Sequence, residues 1–472
     1  MGHYERLSAL DASFLDIEDD NIHMHVAATL LFDGGPLRTP HGGLDVDRIR
    51  AYVASRLHLT PRYRQRLAWI PLERHPVWVD DDRFNVFYHV RHTALPRPGD
   101  ERQLKRLCGR ILSQKLDRTK PLWEIWVVEG LREDRFALIA KAHHSMVDGV
   151  SGMDLLTLLL SPDPAAGIER GFPWRPRPVP SRSELVFGEL WRRGSTPAEL
   201  VRVAARAAAD PRQAIASARD ATAGVLETLH VAATPAAETP FNVPIGPHRR
   251  VDWLRVDLAD VKTVKEHWGG TVNDVVLATV AGATRRFLVG RGIRPEGLEF
   301  RAMVPVSVRA DNERGHLGNK VVQMLTRLPV GQADPRERYR LIMETTGELK
   351  RSHQIRGGEL LEELGDWTAT AVLSQIMRLA GWRRVYNVVV TNVPGPQVPL
   401  YLLGAPLRDP FPMVPLFWNQ AVGVALFSYA SGLSWGVAAD WDALPDLHDL
   451  IEAIRDEFQL LLRLAHQDAS AA

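Results

Sequence analysis

The chain has 472 residues, too many for one ordinary core and suited to two large domains. Its apolar share of 45% and charged share of 24% are those of a globular protein, and a formal net charge of +1 offers no global field to recruit nucleic acid. The single cysteine, Cys108, excludes an internal disulfide and fits a reducing compartment, so a cytoplasmic location is expected.

The opening MGHYERLSALDASF lacks the basic-then-apolar layout of a signal peptide. No stretch reaches the ~18 apolar residues that a membrane span needs, so membrane contact is expected to be peripheral. Residues 24–32 read as a buried strand that ends at the turn Asp33-Gly34-Gly35-Pro36. Val46, Ile49, Val53 and Leu57 mark a helix over 45–58. Strands are expected at 77–79 and 84–90, and a helix over 101–116. Two neighbouring strands, 121–128 and 136–142, flank the turn at Glu133-Asp134, and the second runs into His143-His144. After Asp148-Gly149 a helix is expected, with Ser151 and Asp154 as its capping pair.

Residues 161–180 are rich in proline and glycine and read as a linker. Segment 184–231, rich in Ala and Arg, reads as a helical arm. It is either a plain surface connection, the favoured reading, or a basic amphipathic contact with lipid. A second α/β set begins at Val251. It has a strand over 251–258 and a helix over 271–288 capped by Thr271 and Asp274. Strands follow near 300–306, 320–328, 385–391 and 421–429, with a closing helix over 446–465. The expected domains are therefore 1–160, a linker and helical connection over 161–246, and 247–472.

The chemistry-bearing segment is His143-His144-Ser145-Met146-Val147-Asp148-Gly149, between an apolar strand and a capped helix. Consecutive side chains on a strand point to opposite faces, so one imidazole can face a channel while the other faces the core. A neutral imidazole near pH 7 is suited to taking a proton from a hydroxyl in a transition state. A structural histidine pair is the plain alternative. Metal ligation is disfavoured, because no Glu or Cys stands at a ligand-like spacing, and no metal is expected. His23-x-His25 lies in a core-like strand and reads the same way. Cys108, among Leu104, Leu107, Ile111 and Leu112, reads as a packed thiol rather than a nucleophile.

HHSMVDG resembles the HHxxxDG signature of CoA-dependent acyltransferases. The chain as a whole is similar to the bacterial wax ester synthase/diacylglycerol acyltransferase family. That resemblance is carried in order by LSALDASF (7–14), Met24-His25-Val26, Pro121-Leu122-Trp123, Ser151-Gly152, VNDVVLA (272–278), VPVSVR (304–309), Gly318-Asn319, NVPGP (392–396), Ser428-Tyr429 and Gly436 to Asp440.

The resemblance implies an α/β (α+β), two-domain, chloramphenicol acetyltransferase-like fold with mixed sheets and an interdomain tunnel. It implies His144 as general base, His143 as its support, Asp148 as an orienting carboxylate and Gly149 as the turn position. Asn273, Trp123 and Asn392 are candidate tunnel or substrate contacts. Asp274 is accounted for as a helix cap. Where the family often carries a Leu-Asn-Ile triplet, this chain has Val422-Gly423-Val424, which bears on acceptor choice.

The implied reaction moves a long-chain acyl group from acyl-CoA, a substrate rather than a cofactor, to diacylglycerol or a long-chain alcohol. No cofactor and no nucleic-acid partner are expected. A membrane surface or lipid droplet is the expected peripheral partner. Two alternatives are a condensation-type enzyme fed by a carrier protein and a non-catalytic lipid-binding or droplet protein.

Overall fold

The computed structural model describes residues 3–71, 73–146, 156, 158–169, 174–192, 235–307, 321–351 and 384–471. Among these, two six-stranded sheets and one three-stranded sheet form the frame.

The first large sheet runs Tyr401–Leu402, Ala405–Met413, His25–Asp33, Arg135–His143, Trp123–Glu129, Val90–Ala94. Its pairs are antiparallel except the last, which is parallel. The second runs Val321–Arg327, Arg301–Ser307, Val388–Pro394, Val422–Tyr429, Gly432–Asp440, Arg249–Asp257. Its two central pairings, on either side of Val388–Pro394, are parallel. The expected α/β class with mixed sheets is borne out. The small sheet joins Glu5–Arg6, Pro76–Asp80 and Gln65–Trp69.

Local signals explain most elements. Asp45 accepts the Arg48 amide and starts the helix Val46–Arg56. Asp100 and Gln103 form a reciprocal capping box on Glu101–Leu112, and Thr271 and Asp274 do so on Val272–Gly290. Glu133 and Asp134 both adopt positive φ in the turn between Trp123–Glu129 and Arg135–His143.

The strand expected over 84–90 is corrected. Asn85 accepts the Phe87 amide, caps the short helix Val86–His89, and leaves the strand to Val90–Ala94. The expected start of the helix after Gly149 lies outside the described residues. Of the helical arm, residues 182–192 are described and helical, and the remainder lies outside them.

The two halves share one core. The helix Glu101–Leu112 lies between the sheets, and Leu104, Cys108 and Ile111 belong to the same apolar cluster as Val251, Trp253 and Val437. Contact there is close. A Cβ on Gly109 would stand 2.6 Å from the Arg249 carbonyl oxygen, and the Arg249 amide donates to the Ser113 hydroxyl at 2.8 Å.

The strand Ala405–Met413 crosses from the C-terminal half to pair with His25–Asp33. Its prolines 406, 410 and 412 remove ladder donors. They are tolerated because the far side of this strand meets only the two-residue strand Tyr401–Leu402. Phe411 stacks on Trp253 of the other sheet at 5.0 Å between ring centroids.

At this crossing Gly436 is required, since an added Cβ would lie 1.7 Å from the Pro412 carbonyl oxygen, a backbone atom with no rotamer to yield. Gly436→Val should therefore destabilise the protein by about 3 kcal/mol or more in urea unfolding. A loss under about 1 kcal/mol would show that the sheets are not held this closely.

Candidate active site

Arg135–His143 is a central strand, and alternation along it sets the site. Ala137 and Ile139 face the core shared by the two halves, while Phe136, Leu138, Ala140 and Ala142 face the N-terminal core. Lys141, on the first of these faces, is fully buried. It donates to the carbonyls of Ile111 (2.9 Å) and Gln114 (2.8 Å) and pairs with Glu124 at 2.6 Å, tying the strand to the end of the helix Glu101–Leu112.

His143 ends the strand and His144 opens a short 3-10 turn, His144–Met146. Two backbone bonds hold this junction: the His143 amide donates to the Leu122 carbonyl (2.9 Å) and the His144 amide to the Met24 carbonyl (2.7 Å).

The two rings have different surroundings. His143 is buried, and its Nδ1 accepts the Ser145 amide at 3.1 Å. A backbone amide only donates, so the His143 proton resides on Nε2, which points toward Glu18 Oε1 at 3.8 Å. Burial, then the positive Arg118, then His144 hold its pKa well below the ordinary histidine value.

His144 is half-buried and packs against Phe14, with 4.4 Å between ring centroids. Burial pushes its pKa down to about 4, against a smaller opposite pull from its own backbone carbonyl. Nδ1, the ring nitrogen nearer the backbone, is buried and has no hydrogen-bond partner among the described residues. Burial thus keeps the ring neutral at pH 7.

Glu18, Arg118, Phe14, Met24 and Ser145 surround the pair; Phe14, Met24 and Ser145 lie in segments that carry the family resemblance, whereas Glu18 and Arg118 carried no signal in the sequence. Glu18 is buried directly after the helix Ala9–Ile17, and Arg118 grips its Oε2 through Nε (3.1 Å) and Nη2 (2.7 Å). His25 lies opposite His143 in register, with its Nε2 at 3.4 Å from Glu18 Oε1.

The remaining expected residues are dispersed. Trp123 is buried, stacks on His89 at 4.5 Å and donates its indole N–H to the Tyr63 carbonyl (2.8 Å), so its ring is core. Asn273 is half-buried in the first turn of Val272–Gly290, and Asn392 is half-buried on the strand Val388–Pro394. No hydrogen bond among the described residues joins either asparagine to the histidines. Asp274 is fully used by Thr271 and by the Thr346 hydroxyl at 2.7 Å. Asp148 and Gly149 lie outside the described residues.

At Gly423 a side chain would come 2.7 Å from Val414 Cγ2, so Val414 occupies the space that an asparagine there would need. A cavity of about 290 Å³ lies beside the start of Trp123–Glu129, lined by Tyr88, Arg91, Leu116, Trp123 and Glu124 among others; His144 is not part of its lining. Among the described residues no cluster of histidine, cysteine or carboxylate side chains could hold a metal ion. Cys108 is buried against Thr29, and burial pushes its thiol up to about 12, which makes it an inert packed group.

Two mixed sheets that share a core and present a histidine at the end of a central strand fit an acyltransferase, and the family likeness bears this out. The wax ester synthase/diacylglycerol acyltransferase catalytic domain matches residues 7–276, and the C-terminal domain of the same family matches 317–462. The chain belongs to this family.

A putative diacylglycerol O-acyltransferase of Mycobacterium tuberculosis is 34% identical over 98% of this chain and 93% of its own length. A probable diacylglycerol O-acyltransferase of the same species is 34% identical over 97% and 96%. The structure of the wax ester synthase/diacylglycerol acyltransferase from Marinobacter aquaeolei VT8 superposes with a TM-score of 0.67 at 27% identity, covering 98% of this chain and 100% of that one. The first condensation domain of the calcium-dependent antibiotic synthetase shares the fold, with a TM-score of 0.58 at 18% identity over 98% and 97%.

Histidine burial links stability to pH. His23, His89 and His144 are pushed down to about 4 in the folded state, and His25 and His143 also lie well below 6.5. The unfolded chain takes up these protons near pH 6.5 and the folded chain does not. The stability is therefore complete above about pH 7 and is lost progressively as pH falls toward 4. The urea midpoint should drop between pH 7.5 and 5.5, a window above the ordinary carboxylate range. A flat midpoint across that window would contradict the neutral, buried state of these rings.

Proposed function

We propose that the protein transfers a long-chain acyl group from acyl-CoA to the hydroxyl of diacylglycerol or of a long-chain alcohol, with His144 as the general base. One observation carries the reading. A neutral imidazole is held by its backbone at the end of a central strand, in a chain of this family.

In the reaction Nε2 of His144 takes the hydroxyl proton as the oxygen attacks the thioester carbon. A C–O bond forms and the C–S bond breaks. The proton passes to the departing sulfur, giving an ester and CoA thiol. Both substrates meet at one imidazole, so no acyl-enzyme is needed. Cys108, sealed in the core, takes no part. His143 supports His144 through the turn they share. Asp148 and Gly149 complete the motif. Asn273, Asn392 and the backbone of Trp123 belong to the surrounding walls.

A peripheral contact with a membrane or lipid droplet on the cytoplasmic side fits this chemistry, because both acceptors are lipids. On the helical segment 182–192, Phe187, Leu190 and Trp191 are exposed at helical spacing, while Leu185 is buried and Glu189 pairs with Arg6. Among the described residues no helix is long and apolar enough to cross a membrane. Replacing Phe187 and Trp191 by Ser should abolish co-flotation with anionic phospholipid vesicles that the parent protein shows. Undiminished flotation would reject this contact.

The central test is direct. Purified protein with palmitoyl-CoA and either dioleoylglycerol or hexadecanol, and no carrier protein, should release CoA and form triacylglycerol or wax ester. His144→Ala should lower the rate by about 10²–10⁴-fold with its melting temperature preserved. Turnover at the parent rate by this variant would overturn the mechanism.

A further inference from the structure

Resting on that reading, we infer that Glu18 and Arg118 are the positioning pair for His144: one buried carboxylate, clamped by one guanidinium, fixes the backbone of the base along two routes.

The first route runs through Met24. Glu18 Oε1 accepts the Met24 amide at 3.4 Å, and the Met24 carbonyl accepts the His144 amide at 2.7 Å. The second runs through His143. Glu18 Oε1 faces His143 Nε2 at 3.8 Å, which favours the tautomer with its proton there. The opposite nitrogen, Nδ1, then keeps the lone pair that accepts the Ser145 amide (3.1 Å) and the Ser145 hydroxyl (2.7 Å). Ser145 lies in the same short turn as His144. Both routes therefore end on adjacent amides, those of His144 and Ser145.

Arg118 gives the carboxylate its orientation. Its Nε and Nη2 both bind Oε2, and Nη2 also donates to the Leu15 carbonyl at 2.6 Å. This leaves Oε1 turned to Met24 and His143, and it anchors the end of the helix Ala9–Ile17, whose Phe14 packs on the His144 ring. Burial keeps His143 and His25 neutral beside Glu18, and at His143 the positive Arg118 adds to it. The result is a base whose backbone is locked in orientation by fixed dipoles. Neither residue touches the reacting atoms, so both act through His144.

The test uses the full-length protein with palmitoyl-CoA and dioleoylglycerol. Glu18→Gln keeps the shape and removes the charge. Its kcat should fall on the order of 10²-fold while KM for palmitoyl-CoA stays within about two-fold. Where that single change prevents folding, the double variant Glu18→Gln/Arg118→Met removes both charges together and should show the same split. In protein labelled with 15N-histidine, the His143 Nε2–H signal, assigned with His143→Asn, should shift in either variant, because the carboxylate it faces is gone while the Ser145 amide keeps the proton on Nε2. Parent-like kcat in a folded variant, a rise in KM that matches the fall in kcat, or unchanged His143 signals would each overturn the inference. His144→Ala measured alongside separates the two readings. If it retains the parent rate, the general-base assignment itself fails; if it is inactive while Glu18→Gln is not, only the positioning role fails.

Discussion

The pairing of His25–Asp33 with Arg135–His143 is the constraint on which the site depends. Its register puts His25 opposite His143 and continues one step further, where the Met24 carbonyl takes the His144 amide. A slip of one residue would turn every side chain of the strand to the other face. Lys141 would then leave its carbonyl partners, and the two histidines would exchange environments. The buried ion pairs and the packed layers on both faces make such a slip prohibitive.

Chemistry follows from the difference between the two rings. His143 is enclosed, with one nitrogen committed to the turn. His144 sits beyond the last ladder bond, where burial lowers its basicity and no carboxylate among the described residues pairs with its ring. A buried imidazole without a carboxylate partner is a weak base in the ground state, and it avoids being protonated at neutral pH. Its usefulness comes from placement. The protein invests in rigidity: backbone bonds, the Phe14 contact and the Glu18–Arg118 clamp all bear on the same short turn.

Much of this was legible in the sequence. The strand into His143-His144, the helices at Val46, Glu101 and Val272, and the mixed two-sheet class follow from periodicity, the Thr271–Asp274 cap and the family resemblance. Other parts were not legible. Ala405–Met413 carries three prolines and no strand was expected there; it is a strand because its outer edge is nearly unpaired, a fact of tertiary position. Residues 84–90 have strand composition, yet the Asn85 side chain diverts them into a helical turn. Glu18 and Arg118 are a hundred positions apart, and neither spacing nor composition marks them as partners. Trp123 was open between core and wall, and its indole bond to Tyr63 places the ring in the core.

The account rests on a neutral His144 acting as the base, and the pH dependence of kcat/KM probes that most directly. With the imidazole pushed down to about 4, the base stays unprotonated far below the ordinary histidine range. The profile, measured in the range where the protein remains folded, should be level from about pH 8 to pH 5.5. An acid limb centred near 6.5 would contradict the account, because it would mean a solvated, ordinary histidine.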